Sequence, residues 1–422
     1  MKKFIFGNGK AQERDGAIWN AASGMLNAFQ SVLILIVISH TLSVEDSGVF
    51  TIAWAVANLM VTIGKYGVRN YQVTDLHEQY SFTDYLYHRV LSLLAMVLIS
   101  AGYVCYLHWS NHYTPEKTAV ILLMCYLKLI EAAEDVFHGM FQQHERLDVA
   151  GKCMTIRLLL STVVFCIAIA AAGNLLIASV ICAVVTTVLF VYLTAVAMTG
   201  FTWSCQSIRW SKIWGITKAC VYIFLGSFLS LYILNAPKYA IDATLGADIQ
   251  AYYGYISMPV FVVGLLNNFF YMPILTKMTD AYENDIPCFV KLFLQQIAVI
   301  VVLTVLSIGG AYLLGIPVLS ILYNCDLSAY RGDLCIMMVG GGSLALVGFL
   351  TTVLTLIRKQ RLIVVGYGLG GIIALSVSRI IVKSYGMTGA AVLYLVLTTV
   401  MWIIFLAGFL VCLHQRKQEI RA

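Results

Sequence analysis

Runs of about twenty predominantly apolar residues, joined by short connections, leave this chain one class of fold. Twelve are legible, over 17–40, 46–65, 89–107, 117–140, 153–172, 175–198, 213–235, 251–274, 289–313, 333–357, 362–382 and 387–413. About 20 apolar residues in a helix cross the hydrocarbon of a bilayer, and there only helices or closed barrels satisfy their own backbone groups. The expectation is an all-α polytopic membrane protein with twelve transmembrane helices. The longest connection, 66–88, is too short for a soluble domain. Charged residues make up 11% of the chain, against about 25% in soluble domains.

The placement of lysine and arginine sets the orientation. With the N-terminus inside, the segments on that side hold 21 of the 27 Lys and Arg, those outside hold 5, and Lys128 is embedded. Both termini are therefore expected in the cytoplasm. The net charge of +6 is a topology signal and needs no nucleic-acid partner. The start, Met1-Lys2-Lys3-Phe4-Ile5-Phe6, turns polar at Gly7 and does not read as a signal peptide. The helices divide into six and six near Ser204–Ser211, giving lobes 1–205 and 206–422. Both lobes enter the membrane from the same side, as parallel repeats do. Pro259 and Pro273 are expected to kink the eighth helix.

The fourth run carries the least expected residues. In Lys128-Leu-Ile-Glu131-Ala-Ala-Glu134-Asp135-Val-Phe-His138-Gly-Met-Phe-Gln142, helical spacing puts Lys128, Glu131, Asp135, His138 and Gln142 within an arc of about 80°, with Glu134 beside it. One ionisable residue at the bilayer centre costs about 2.5–3.5 kcal/mol on insertion scales, so this face meets protein or water. It is either a functional face or a Lys128–Glu131 pair that joins helices. Other polar stripes lie on the first helix (Asn20, Ser23, Asn27, Gln30) and the second (Asn58, Thr62, Lys65, Arg69). Ser227, Ser230 and Asn235 mark the seventh, Asn267 and Asn268 the eighth. Singly these read as interhelical hydrogen bonds; the stripes on helices 1, 2 and 4 together suggest one wet cavity.

Cations gather at the cytoplasmic helix ends: Lys65, Arg69, Arg89, Arg157 and Lys218. Guanidinium groups bind phosphate in bidentate fashion, and snorkelling anchors put the same residue types in the same places. Arg157 and Lys218 lie deeper than an anchor requires. The segment 66–88 is aromatic and charged, as in an interfacial stretch or an ordinary loop. Eleven scattered cysteines form no C-x-x-C, the eight histidines show no ligand spacing, and no Gly-x-x-x-x-Gly-Lys-Ser/Thr loop occurs. No metal, cofactor or ATP site is expected.

Three segments together carry a family resemblance. They are Tyr66-Gly-Val-Arg69-Asn70-Tyr71-Gln72-Val-Thr-Asp75, Glu131 to Asp148 ending Gln142-Gln143-His-Glu-Arg146-Leu147-Asp148, and Asn235-Ala-Pro237-Lys238-Tyr239-Ala-Ile-Asp242; Gly315-Ile-Pro317-Val-Leu319 also fits. They resemble the polysaccharide repeat-unit (O-antigen or capsule) flippases, Wzx type, of the multidrug/oligosaccharidyl-lipid/polysaccharide exporter superfamily. The resemblance implies two six-helix lobes around a central cavity, a bacterial inner membrane, and a polyprenyl-pyrophosphate-linked oligosaccharide as substrate. It also implies polysaccharide polymerase machinery nearby. On that reading Lys128, Arg69, Arg89, Arg157, Lys218, Asn27, Asn58 and Lys238 contact substrate. Glu131, Glu134, Asp135 and His138 are the candidates for proton or sodium coupling. A multidrug exporter of the same superfamily is the alternative transporter, disfavoured by a cavity centred on Lys128. A membrane enzyme acting on lipid-linked sugars, or a scaffold, are the remaining classes; the former would want a larger outside loop.

Overall fold

The computed structural model describes residues 1–7, 12–75, 79–204, 206–271 and 274–421, and their side chains except at 261–262, 265–271, 417 and 419–421. Pro273, His77 and the side chains of Asn267 and Asn268 thus lie outside the described residues. Nearly all of the described chain is helical, with no strand among the described residues. Nine helices among the described residues are long and apolar enough to cross a membrane, which makes this a multi-pass membrane protein.

Contacts divide the chain into two compact units, Met1–Phe228 and Leu229–Ala422. Unit 1 holds α1 (Lys2–Phe6), α2 (Gln12–Thr41), α3 (Val44–Lys65), α4 (Val68–Thr74), α5 (Phe82–Ser110), α6 (Pro115–Gln143), α7 (Leu147–Ala172), α8 (Leu175–Met198) and the first part of α9 (Trp210–Thr244). The division falls inside α9, beyond the connection near 204–211 where the sequence suggested it. Early α9 belongs to unit 1 because Ile216 and Cys220 pack with Val68, Tyr85 and Val136.

Helix starts follow local chemistry. Ser43 and Asp46 close a capping box on α3, and Ser81 and Asp84 do so on α5. Thr114 caps α6 just ahead of Pro115. The span containing α3 is 83% buried in its most apolar window, the most enclosed of the nine spans among the described residues. Helices α5, α7 and α8 turn Leu, Ile and Val outward, among them Leu98, Ile167 and Val188. An apolar outer face is what hydrocarbon requires.

Unit 2 holds the rest of α9, then α10 (Ala247–Tyr271), α11 (Leu275–Asn284), α12 (Ile286–Gly310), a π-helical turn (Ala311–Gly315), α13 (Ile316–Tyr323), α14 (Arg331–Leu356) and α15 (Gln360–Arg421). Helix α14 is its inner helix. A Cβ on Gly340, Gly341 or Gly342 would collide with Tyr394, Val260 or Thr304, so this glycine run admits α15, α10 and α12 close to its axis.

The apolar runs lie largely on helix over their described residues, and the last two share α15, which breaks at Gly386 (φ 60°). Several connections differ from the expectation. Helix α9 continues through Pro237 to Thr244, so Lys238 sits in a helix where the sequence suggested a loop over 236–250. Most of 314–332 is likewise helical up to Tyr323. The segment 66–88 carries a short helix, α4, and the connection before the ninth run carries another, α11.

Candidate functional site: a buried ion-pair network on α6

The charged face of α6 meets α3, α4, α5 and α7. Glu131 accepts hydrogen bonds from two lysines, Lys65 Nζ on Oε1 at 2.6 Å and Lys128 Nζ on Oε2 at 2.7 Å. Glu134 is held by Arg157 of α7 through both carboxylate oxygens, with Nε 2.6 Å from Oε2 and Nη2 on Oε1. Asp135 takes Arg89 of α5 at 2.8 Å and lies 3.7 Å from Arg69 of α4. Side-chain partners of this kind let a helix carry charge at membrane depth. Trp54 adds its ring 4.6 Å from Lys128 Nζ.

The backbone break at the end of α3 makes the network possible. The sequence placed Lys65 and Arg69 on one continuous stripe, but Tyr66 (φ 49°) and Gly67 (φ 69°) are both left-handed, and α4 starts afresh at Val68. A Cβ at Gly67 would lie 2.5 Å from Ile223, so glycine is required twice over, by conformation and by space. Tyr66 is held in its unusual geometry by stacking on Phe224, ring centroids 4.5 Å apart. Ending α3 here leaves the Gly64 carbonyl without a helical partner; Arg89 Nη1 donates to it, and Ser92 Oγ does so at 2.7 Å. Gly64 also lets α3, α5 and α6 converge, since a Cβ would lie 2.7 Å from Met96 Sδ and 2.8 Å from Ala132 Cβ. Helix α4 is tied to the end of α6 by Arg69 to Gln142 (3.0 Å) and Gln72 to Gln143 (3.1 Å).

Five cations thus face three carboxylates, a surplus of two positive charges among these residues. The cations differ in access. The side chains of Arg89 and Lys128 are 1% and 6% exposed, those of Lys65 and Arg69 32% and 25%. Arg157 and Glu134 are both buried. Beside them a cavity of about 20 Å³ has the polar groups of Gln30, Lys128, Glu131, Arg157, Ser161 and Thr186 on its wall, with Ile34, Trp54, Leu127, Phe165 and Cys182 making up the rest. That is room for about one water molecule with several polar partners.

The expected site residues distribute unevenly. Lys128, Glu131, Glu134, Asp135, Arg69, Arg89 and Arg157 come together. His138 is buried on the same helix, its ring 6.2 Å from Phe141. Asn27 and Asn58 are half-buried on α2 and α3, and Asn27 Oδ1 is buried without a hydrogen-bond partner among the described residues. Lys218, expected to lie deep, is exposed and sits 5.5 Å from the Trp214 ring, outside the network. Lys238 is half-buried on α9 in unit 2. The sequence paired Glu131 with Lys128 alone and missed Lys65; the clue was the Gly64-Lys65-Tyr66-Gly67 break, which ends the helix and aims Lys65 at α6.

No family model and no curated protein sequence matches the chain. Solved structures do match its fold. A lipid II flippase MurJ in an inward closed conformation superposes with a TM-score of 0.71 at 11% identity, over 92% of this chain and 87% of that one. An inward-facing multidrug resistance MATE family transporter of the MOP superfamily gives 0.67 at 12% identity, over 93% and 96%. A MOP superfamily transporter from Pyrococcus furiosus, described as having a binding pocket of reverse polarity, gives 0.56 at 15%, over 99% and 98%. The chain therefore has the fold shared by MATE and MurJ transporters.

Proposed function

We propose that this protein is a flippase that carries a polyprenyl-pyrophosphate-linked oligosaccharide from the cytoplasmic to the outer leaflet of a bacterial inner membrane, by alternating access driven by an ion gradient. The observation that carries this reading is the surplus of two positive charges in the α6 network, with Lys65 and Arg69 its most exposed members. A lipid-linked sugar has a doubly charged diphosphate that cannot cross hydrocarbon unaided and an apolar tail that can remain in it. Cations at membrane depth suit that head group. The fold supports the same reading, since one neighbour is a lipid II flippase. Several others are multidrug transporters, but a cationic drug would meet repulsion at this network. The absence of a Gly-x-x-x-x-Gly-Lys-Ser/Thr loop leaves an ion gradient as the energy source. Glu131, Glu134 and Asp135 would take part in coupling through their cation pairs, with His138 beside them.

The test is disruption of the gene in its own host. The expected result is loss of surface polysaccharide, with lipid-linked repeat units accumulating on the cytoplasmic face and recovery on complementation. Normal surface polysaccharide in the disrupted strain would end the proposal. Orientation is checked separately. In a cysteine-free variant, single cysteines at Asn111 and Asp248 should react with an impermeant thiol reagent in intact cells. A cysteine at Lys359 should react only after permeabilisation. External labelling at Lys359 would invert the assignment drawn from the lysine and arginine bias.

A further inference from the structure

We infer that Glu131 and Asp135 act as internal stand-ins for the substrate's diphosphate, holding Lys65 and Arg69 while the site is empty and yielding both to the ligand when it binds. This inference rests on the flippase reading for the identity of the ligand, but its test does not.

The network repeats one asymmetry. Glu131 and Asp135 each serve two cations, and in each case one is enclosed and the other is partly open. Glu131 has Lys128 at 2.7 Å and Lys65 at 2.6 Å; Asp135 has Arg89 at 2.8 Å and Arg69 at 3.7 Å. The enclosed partners are 6% and 1% exposed, the open ones 32% and 25%. Glu134 has no such arrangement: its bidentate partner Arg157 is as buried as the carboxylate itself.

Sharing changes what exchange costs. Removing the sole partner of a buried carboxylate leaves an uncompensated charge, which is strongly destabilising. When Lys65 leaves Glu131, Lys128 remains; when Arg69 leaves Asp135, Arg89 remains. The open cations can therefore change partner without stranding a buried charge. The charge count agrees. The surplus of two positive charges equals the two negative charges of an ionised diphosphate diester, so the loaded network is neutral. Lys65 and Arg69 also flank the Tyr66–Gly67 break on two separate helices, α3 and α4, and are not locked to a single rigid face. A stand-in lowers apparent affinity by the fraction of time it occupies the site. It keeps the empty site from trapping stray anions and helps expel the ligand after transport.

Paired replacements isolate this effect. Lys128→Met/Glu131→Gln removes one stand-in with its buried cation; Arg89→Met/Asp135→Asn removes the other. Each leaves the surplus of two charges intact and no buried charge stranded, so a fixed electrostatic field predicts unchanged affinity. Binding of farnesyl diphosphate to the full-length protein in zwitterionic nanodiscs is measured calorimetrically, with inorganic pyrophosphate as a second arm. Both paired variants are expected to bind about tenfold tighter than the wild type, and Lys65→Met/Arg69→Met about a hundredfold weaker or not at all. That order in either arm supports the exchange; appearance in the prenyl arm alone shows that the tail is needed as well. Wild-type affinity in both paired variants, or no binding of either probe by any form, overturns it. Failure of the flippase reading shows separately, as normal surface polysaccharide in the disrupted strain.

Discussion

Glu134→Ala is expected to cost unit 1 about 3–5 kcal/mol, the penalty for leaving one partner of a buried ion pair uncompensated. The residue left behind is Arg157, whose guanidinium is buried and engages both carboxylate oxygens of Glu134. No other carboxylate is paired with it in the described network. A loss of this size removes a large share of the stability of an ordinary domain. Little protein should survive extraction, and what does should unfold at a clearly lower temperature. Glu134→Leu with Arg157→Met removes both charges, keeps similar volume, and should recover most of the loss, because apolar replacements of whole buried pairs are often neutral. Thermal unfolding of the purified proteins decides it. A single variant as stable as the wild type would show that water or a nearby group takes over from Glu134.

Much of the fold could be read in the sequence, because twenty-residue apolar runs have few alternatives in a membrane. The runs that become α2, α3, α5, α6, α7 and α8 were legible for that reason. Their continuations were not. The seventh apolar run stops at 235, whereas α9 runs on through Pro237 to Thr244; neighbouring helices can satisfy the carbonyl that a proline frees. The charged face of α6 was equally legible, since five polar positions at helical spacing inside an apolar run leave little choice. Its partners were only partly so. Arg89 and Arg157 stood out as cations at helix ends, but no periodicity says which acid each one meets. The bond from Lys65 to Glu131 depends on two successive left-handed residues, Tyr66 and Gly67. A helical wheel carried past that point misplaces Arg69, which reaches Asp135 from a different helix. Lys218 looked deep by position along its run, yet it faces outward beside Trp214. Position along a helix does not give the rotation of the helix about its axis.

The central claim is that the surplus charge of the α6 network exists to carry an anionic head group. Lys65→Met/Arg69→Met tests it most directly. Both carboxylates keep their enclosed partners, Lys128 and Arg89, so the variant should express and unfold like the wild type. The surplus falls to zero. Hydrogen bonds to charged groups contribute about 1.5–3 kcal/mol each, so losing two should weaken capture of a diphosphate by a hundredfold or more. Lys218→Ala, outside the network, serves as the control. Surface polysaccharide is measured in a strain lacking the native gene and carrying each variant. The account predicts normal protein levels throughout, wild-type export with Lys218→Ala, and almost none with Lys65→Met/Arg69→Met. Wild-type export by the well-expressed double variant would contradict it.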